Sequence, residues 1–255
     1  MRKREHLMSL AIETRQLSVN YQGHAALMQL DLCVERGEVF GFLGHNGAGK
    51  TTTLNVLTTL LAPTSGQAFV SGHDVVKDAT EARRAIGYVP ENVRLYDNLS
   101  ALDNLRYLAK LSGVRQPDAP VKAALEFVEA SDLAHRLVGT MSKGQRQRIG
   151  LAQAIVHRPE VLFLDEPTSG LDPAGIKNLR DLIMRINSTW GTTVFMNTHL
   201  ISEVSKTCTA IAILNHGELV LSDRFEHVMQ RFGSDEELEN VYLSLVPGAS
   251  NEAMA

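Results

Sequence analysis

The sequence predicts an α/β layered fold. Strand-like and helix-like segments alternate through much of the 255 residues, the pattern of a sheet covered by helices. A short apolar strand at residues 39–43 runs straight into a glycine-rich turn and then a helix. From about residue 95 to 137 the pattern turns helical, as expected of a helical block inserted into the α/β body.

Taken in order, residues 11–19 read as a strand and residues 39–43 (VFGFL) as a short buried one. Residues 50–61 read as a helix, with Leu54, Val56, Leu57, Leu60 and Leu61 on its apolar faces. Ala62-Pro63-Thr64-Ser65-Gly66 stops it, and strand character resumes over 67–70. In the helical block, Ser100 with Asp103 makes a capping-box-like start, and Leu102, Leu105 and Ala109 keep helical spacing toward Gly113. A second helix over 121–130 turns Val121, Leu125 and Val128 inward. Strands return at 161–164, 193–196 and 210–214, and Asn215-His216-Gly217 offers a tight turn into 218–221. One domain is expected over residues 9–246, with the helical insertion at about 92–158. The small polar stretch at 247–255 reads as a frayed tail.

Composition narrows the function. Aromatics are 5% of residues, too few for stacking platforms along a single-stranded nucleic acid. The formal net charge of -4 provides no basic field toward DNA or anionic lipid. No nucleic-acid partner is expected. No run approaches the roughly 18 apolar residues of a membrane-spanning helix, so any work at a membrane is expected through other subunits. The charged start Met1-Arg2-Lys3-Arg4 is followed by no signal-peptide core. Two distant cysteines, Cys33 and Cys208, form neither a disulfide framework nor a metal spacing and suit a reducing compartment.

Three segments carry chemistry. Gly44-His45-Asn46-Gly47-Ala48-Gly49-Lys50-Thr51 matches G-x-x-x-x-G-K-[ST] in full. Glycines let backbone N–H groups approach phosphate oxygens, and the following helix adds its positive end. Lys50 is placed for the β- and γ-phosphates and the Thr51 hydroxyl for Mg²⁺. Val161-Leu162-Phe163-Leu164-Asp165-Glu166 is an apolar strand ending in two carboxylates, as suits a buried parallel strand whose carboxyl end faces a ligand. Asp165 is a candidate for the Mg²⁺ shell and Glu166 for the general base. Met141-Ser142-Lys143-Gly144-Gln145 opens a further helix, over about 146–157, with a second anion-binding turn.

With Asp165-Glu166-Pro167-Thr168-Ser169-Gly170-Leu171-Asp172 and then His199, these motifs stand in one fixed order that resembles the nucleotide-binding subunit of an ATP-binding-cassette (ABC) transporter. The resemblance covers about residues 12–245. It implies a P-loop NTPase core, a mostly parallel sheet flanked by helices, with an antiparallel β part and an inserted helical subdomain. It implies an ATPase with ATP and Mg²⁺ as ligands, in which Gly44, His45, Asn46, Gly47, Ala48, Gly49, Lys50, Thr51 and Thr52 form the Walker A site. Glu166 stands at the catalytic-base position and His199 at the switch histidine, and Tyr21 resembles the aromatic that stacks on adenine. Ser142, Lys143, Gly144 and Gln145, with Asp172 of the D-loop, would act in trans on the nucleotide of a second cassette, a second copy of this chain. Membrane-spanning subunits on separate chains are implied as partners, which places the chain peripherally at the cytoplasmic face of the cell's inner membrane.

Two departures from the family pattern matter. Glu91 follows Pro90 where a glutamine is usual; its carboxylate can still serve Mg²⁺, which takes hard oxygen donors, but it adds negative charge beside the γ-phosphate. Lys143 replaces the first glycine of the usual LSGGQ signature, and either adds positive charge near the partner's γ-phosphate or points to solvent. Both variants resemble export-type and drug-resistance-type members, so an exporter is expected. A soluble mechanical ATPase built on the same cassette is the alternative, but such relatives carry long insertions between the two Walker motifs, and here that interval holds only the compact helical block.

Overall fold

The computed structural model describes residues 10–244; the expected tail at 247–255 and the outermost residues of the 9–246 span lie outside the described residues. The chain opens with β1 (Leu10–Tyr21) and β2 (His24–Glu35), then β3 (Val39–Leu43) and α1 (Lys50–Leu57). The strands β4 (Ser65–Val70) and β5 (His73–Asp74), α2 (Ala79–Ala85) and β6 (Ile86–Val89) follow. Three helices, α3 (Ala101–Leu111), α4 (Asp118–Phe127) and α5 (Lys143–Ile155), lie between β6 and β7 (Val161–Asp165). The chain continues with α6 (Pro173–Trp190), β8 (Thr193–Thr198) and α7 (Ile201–Thr207). It closes with β9 (Ala210–Asn215), β10 (Glu218–Arg224), α8 (Phe225–Phe232) and α9 (Asp235–Ser244).

Among the described residues there are two sheets. An antiparallel one runs β2-β1-β4-β5, and a six-stranded one runs β10-β9-β3-β8-β7-β6, parallel throughout except for β10. Side chains alternate across a strand, and the parallel strands are apolar at nearly every position because both of their faces are covered. Phe40, Phe42, Phe163, Phe195 and Ala212 point to one face, against Ile12, Leu30 and Leu32 of the antiparallel sheet and Leu54 and Leu57 of α1. Leu43, Leu162, Leu164, Val194, Met196, Ile211 and Ile213 point to the other, against the helices. Gly41 lets α7 lie close on β3: a Cβ there would stand 2.8 Å from Val204 Cγ1.

Phe195 is the hub of the first face, with ring centroids 5.5 Å from Phe40, 5.2 Å from Phe42 and 5.5 Å from Phe163. Phe195→Ala is expected to cost about 3–5 kcal/mol of folding stability, the usual range for a buried ring. Urea unfolding followed by circular dichroism measures it; a loss below about 1 kcal/mol would contradict this packing.

The sequence reading missed β2, although Leu30, Leu32 and Val34 turn inward while Gln29, Asp31 and Cys33 face solvent. It carried α1 four residues too far, because Leu60 and Leu61 lie beyond the helix's last turn, where Thr59 is left-handed. The second helix of the block starts earlier than 121, directly after Pro117, whose fixed φ suits a helix start. The helix expected over 146–157 begins at Lys143, because Ser142 is already its cap. Arg146 and Arg148 tie α5 to the rest of the block: Arg146 pairs with Asp97 at 3.1 Å and Arg148 donates to Glu129 O at 3.1 Å.

Candidate functional site

The carboxyl ends of β3, β7 and β8 converge on one edge of the parallel sheet, the usual ligand side of an open α/β sheet. At the end of β3 the chain turns through residues 44–49 into α1. Gly47 is left-handed at φ +86°, and a Cβ there would meet nothing within 4 Å, so its open side faces outward. Gly49 caps α1 at φ +109°, and a Cβ would strike Ala26 O of β2 at 2.6 Å. Tyr21, at the hairpin end of β1 beside this part of β2, is 45% exposed and presents an open ring.

The β9–β10 turn braces this loop. Gly217 N–H donates to Ala48 O at 2.8 Å. His45 lies with Nε2 2.9 Å from Asn215 Oδ1 and Nδ1 2.7 Å from Asn46 O, so its ring supports the loop's shape. Lys50 is only 6% exposed; its Nζ donates to Gly44 O at 2.5 Å and His45 O at 3.3 Å, and stands 3.9 Å from Glu166 Oε1. Burial pushes its ammonium below the ordinary lysine range, with Glu166 and Asp165 acting in the opposite direction. Thr51 is exposed in the first turn of α1, and Thr52 is half-buried beside it.

Asp165 ends β7, where Asn197 Nδ2 donates to its Oδ1 at 2.5 Å. Burial raises its carboxyl above the usual range; the Asn197 hydrogen bond opposes this, and the charges of Glu166 and Glu91 push it further up. Glu166 adopts φ +44°, a left-handed conformation that costs a side-chain-bearing residue of order 1 kcal/mol or more. Its N–H is held by Asn197 O at 2.9 Å, and its own carbonyl accepts from Ser169 N–H at 3.0 Å. The side chain is thereby aimed between Lys50 and His199, whose Nδ1 lies 2.9 Å from Glu166 Oε2.

A second pocket lies at the start of α5, lined by Ser142, Gly144, Gln145, Leu171, Asp172 and neighbours, with no residue of 44–51. Ser142 and Gln145 form a reciprocal capping box: Gln145 N–H donates to Ser142 Oγ at 3.3 Å and Ser142 N–H to Gln145 Oε1 at 3.1 Å. Asp172 caps α6 by accepting from Gly175 N–H at 2.8 Å, with Pro173 as the first helical residue. Lys143 is exposed to solvent, one of the two expectations for it. Its Nζ lies 3.5 Å from Ser169 Oγ of its own chain.

Comparison with known proteins decides the family. The ABC transporter family model matches residues 27–169, more than half of the chain. The chain belongs to the ABC transporter family. This ABC chain is 39% identical over 224 residues to the bacitracin transport ATP-binding protein BcrA of Bacillus licheniformis, covering 88% of this chain and 73% of that one. It is 34% identical to the probable multidrug ABC transporter ATP-binding protein YbhF of Escherichia coli, covering 92% of this chain and 41% of that one. Among solved structures, cbiO1 of Clostridium perfringens, part of the ABC transporter complex cbiONQ, superposes with a TM-score of 0.80 at 27% identity, covering 93% and 96% of the two chains. The dimeric, post-hydrolysis ABC cassette MJ0796 with ADP and Pi gives 0.76 at 25% identity, covering 84% and 98%. The chain is therefore an ATP-binding ATPase of this family with the P-loop NTPase fold.

In this ABC ATPase the fold draws Lys50, Asp165, Glu166 and His199 together, with Glu91 in range of Asp165, and sets Ser142–Gln145 and Asp172 apart in a separate pocket. The donors suit Mg²⁺, since Thr51, Asp165 and Glu91 all offer oxygen. Asn197 Oδ1 beside them is buried without a hydrogen-bond partner among the described residues. No three His, Cys, Asp or Glu side chains among the described residues form a cage of their own, as suits an ion held by one or two carboxylates and the nucleotide's phosphates. The sequence reading missed Asn197 and Asn215 as supports. An asparagine closing the apolar run Thr193-Val194-Phe195-Met196 was the available signal for the first, because a buried amide must find partners.

Proposed function

We propose that this chain is the ATP-hydrolysing subunit of a membrane exporter and works as a head-to-tail pair of cassettes. One observation carries the pairing: the Ser142 helix start lines a pocket that includes no residue of the phosphate loop of the same chain. One ATP has no use for two remote anion cradles, whereas two antiparallel copies bring each cradle opposite the other's phosphate loop. Gly44–Thr51, Thr52 and Tyr21 then bind ATP in cis, and Ser142, Gly144, Gln145 and Asp172 complete the site in trans. Thr51, Asp165 and Glu91 would hold Mg²⁺, which would supply charge neutralisation at the nucleotide's phosphates. Glu166 takes the proton of the attacking water, and His199 orients Glu166 and faces the γ-phosphate. Binding closes the pair and hydrolysis reopens it.

Among the described residues no helix is long and apolar enough to cross a membrane. In this reading translocation belongs to membrane-spanning subunits on separate chains, with this subunit docked at their cytoplasmic side. Export is favoured because the bacitracin and multidrug proteins are among the similar relatives and because Glu91 and Lys143 resemble members of that type.

The docking surface is placed on the segment after Glu91. Tyr96 is 52% and Leu99 39% exposed, and Tyr96 packs edge-on to the exposed Tyr107. Buried Asn104 holds this segment rigid, accepting from Tyr96 N–H at 2.8 Å and donating to Tyr96 O at 3.0 Å. Tyr96→Ser with Leu99→Ser is expected to keep ATP binding and to weaken association with the membrane subunits at least about tenfold, as loss of interface anchors does. Detergent solubilisation of membranes holding the tagged chain, with mass spectrometry of what copurifies, tests both points. Absence of any membrane-spanning partner would overturn the transporter reading, and undiminished copurification of the double variant would move the docking surface elsewhere.

A further inference from the structure

Two charged residues at which this sequence departs from its family's pattern meet across one hydroxyl. Ser169 Oγ donates to Glu91 Oε1 at 3.0 Å, and Lys143 Nζ reaches the same hydroxyl at 3.5 Å. The lysine stem lies along the backbone of Gly170, where an added Cβ would stand 2.9 Å from Nζ and 3.3 Å from Cδ. Gly170 is left-handed at φ +69°, a conformation that disfavours a side chain, and the atoms beside it are those of the Lys143 chain end. The ammonium is thus directed into its own chain's 169–170 turn. The three residues come from three places: Glu91 from the connection after β6, Ser169 from the connection after β7, and Lys143 from the first turn of α5.

We propose that Lys143 is a positioning residue that acts in cis, through Ser169, on Glu91. It offsets the carboxylate's charge at the phosphate site and ties the start of α5 to that site's metal side. This rests on reading Glu91 as a metal-side residue. The charges explain each other. A glutamine at 91 is neutral and needs no counter-charge, and a glycine at 143 supplies none. A glutamate at 91 adds a negative charge close to Asp165 and the γ-phosphate, and Lys143 supplies the matching positive one. Serine suits the link because its hydroxyl donates to the carboxylate while its lone pairs accept from the ammonium. When Glu91 turns toward a bound cation, Ser169 loses its acceptor and the hold on α5 slackens. Occupancy of the metal site is thereby communicated to the signature helix, a two-state element biased by ligand.

The test is a double-substitution cycle on the monomer, at protein concentrations where light scattering reports a single chain, so that no action in trans contributes. The probe is adenosine 5′-(β,γ-imido)triphosphate, titrated calorimetrically in EDTA. Lys143→Gly is expected to weaken its binding about three- to tenfold with Glu91 present, and less than about twofold in the Glu91→Gln background, as a screened charge pair dictates. Lys143→Arg should keep affinity within about twofold of the parent, and Ser169→Ala should remove at least about half of the coupling. Equal losses in both backgrounds, or no loss in the monomer, would overturn the cis link. A separate titration with Mg²⁺ judges the underlying reading: Glu91→Gln should shift the Mg²⁺ dependence of analogue binding. If it does not, the assignment of Glu91 to the metal side falls, and the EDTA cycle still decides the Lys143 link independently.

Discussion

Glu166→Gln is expected to bind ATP within about twofold of the parent and to turn it over at least about a hundredfold more slowly, the lower end of what a positioned base contributes. The substitution keeps side-chain volume, the N–H bond to Asn197 O, and a polar oxygen facing His199. It removes the carboxylate that accepts the water's proton. Lys50 keeps its two carbonyl acceptors in the loop, so the cradle is intact. Because hydrolysis is the step that reopens the pair, the variant should accumulate an ATP-bound dimer. Equilibrium binding and phosphate release, measured side by side, check this. A variant that hydrolyses at near the parent rate removes Glu166 from the base position.

Lys50→Met is expected to weaken ATP binding at least about a hundredfold, in line with the loss of a buried charge from a charged partner. The variant should still fold, with a lowered melting temperature. Burial already pushes the Lys50 ammonium below its ordinary range, so the folded state gains little from holding that charge, and methionine keeps most of the volume. The cost is the two loop carbonyls left without a donor, about 1–3 kcal/mol apiece at most. In a chain of this size about 1 kcal/mol moves the melting temperature by roughly 2–4 °C. A fluorescence melt alongside a nucleotide titration separates the two effects. Wild-type affinity in a folded Lys50→Met variant would contradict the assignment.

The parallel core was legible because strands buried on both faces are apolar at every position. Residues 39–43, 161–164 and 210–214 therefore stand out of the sequence as unbroken runs. The antiparallel sheet was half legible: β2 alternates from Leu30 on, but Met28 and the left-handed Gln29 are exposed in succession and break the pattern, and its inward leucines find meaning only against Phe40 and Phe42 of the other sheet. At the site, the residues proposed to bind nucleotide announced themselves through glycine spacing and the paired carboxylates. Those that hold them did not. Asn197 supports Asp165 and Glu166 from a neighbouring strand, Asn215 supports His45 from a turn far along the chain, and the Lys143–Ser169–Glu91 link joins two connections and a helix start. Such pairings follow from sheet order, which no local pattern encodes.

Pairing of two cassettes is the central claim, and specific ATPase activity across protein concentration tests it most directly. Half of each site comes from a partner, so activity per chain should rise with concentration and then level off as the dimer fills. Ser142→Arg, which crowds the partner's phosphate from a solvent-facing cap, should abolish that rise while leaving the fold and monomeric nucleotide binding in place. A specific activity that stays flat over about a hundredfold dilution, with light scattering reporting a monomer at every point, would contradict the account.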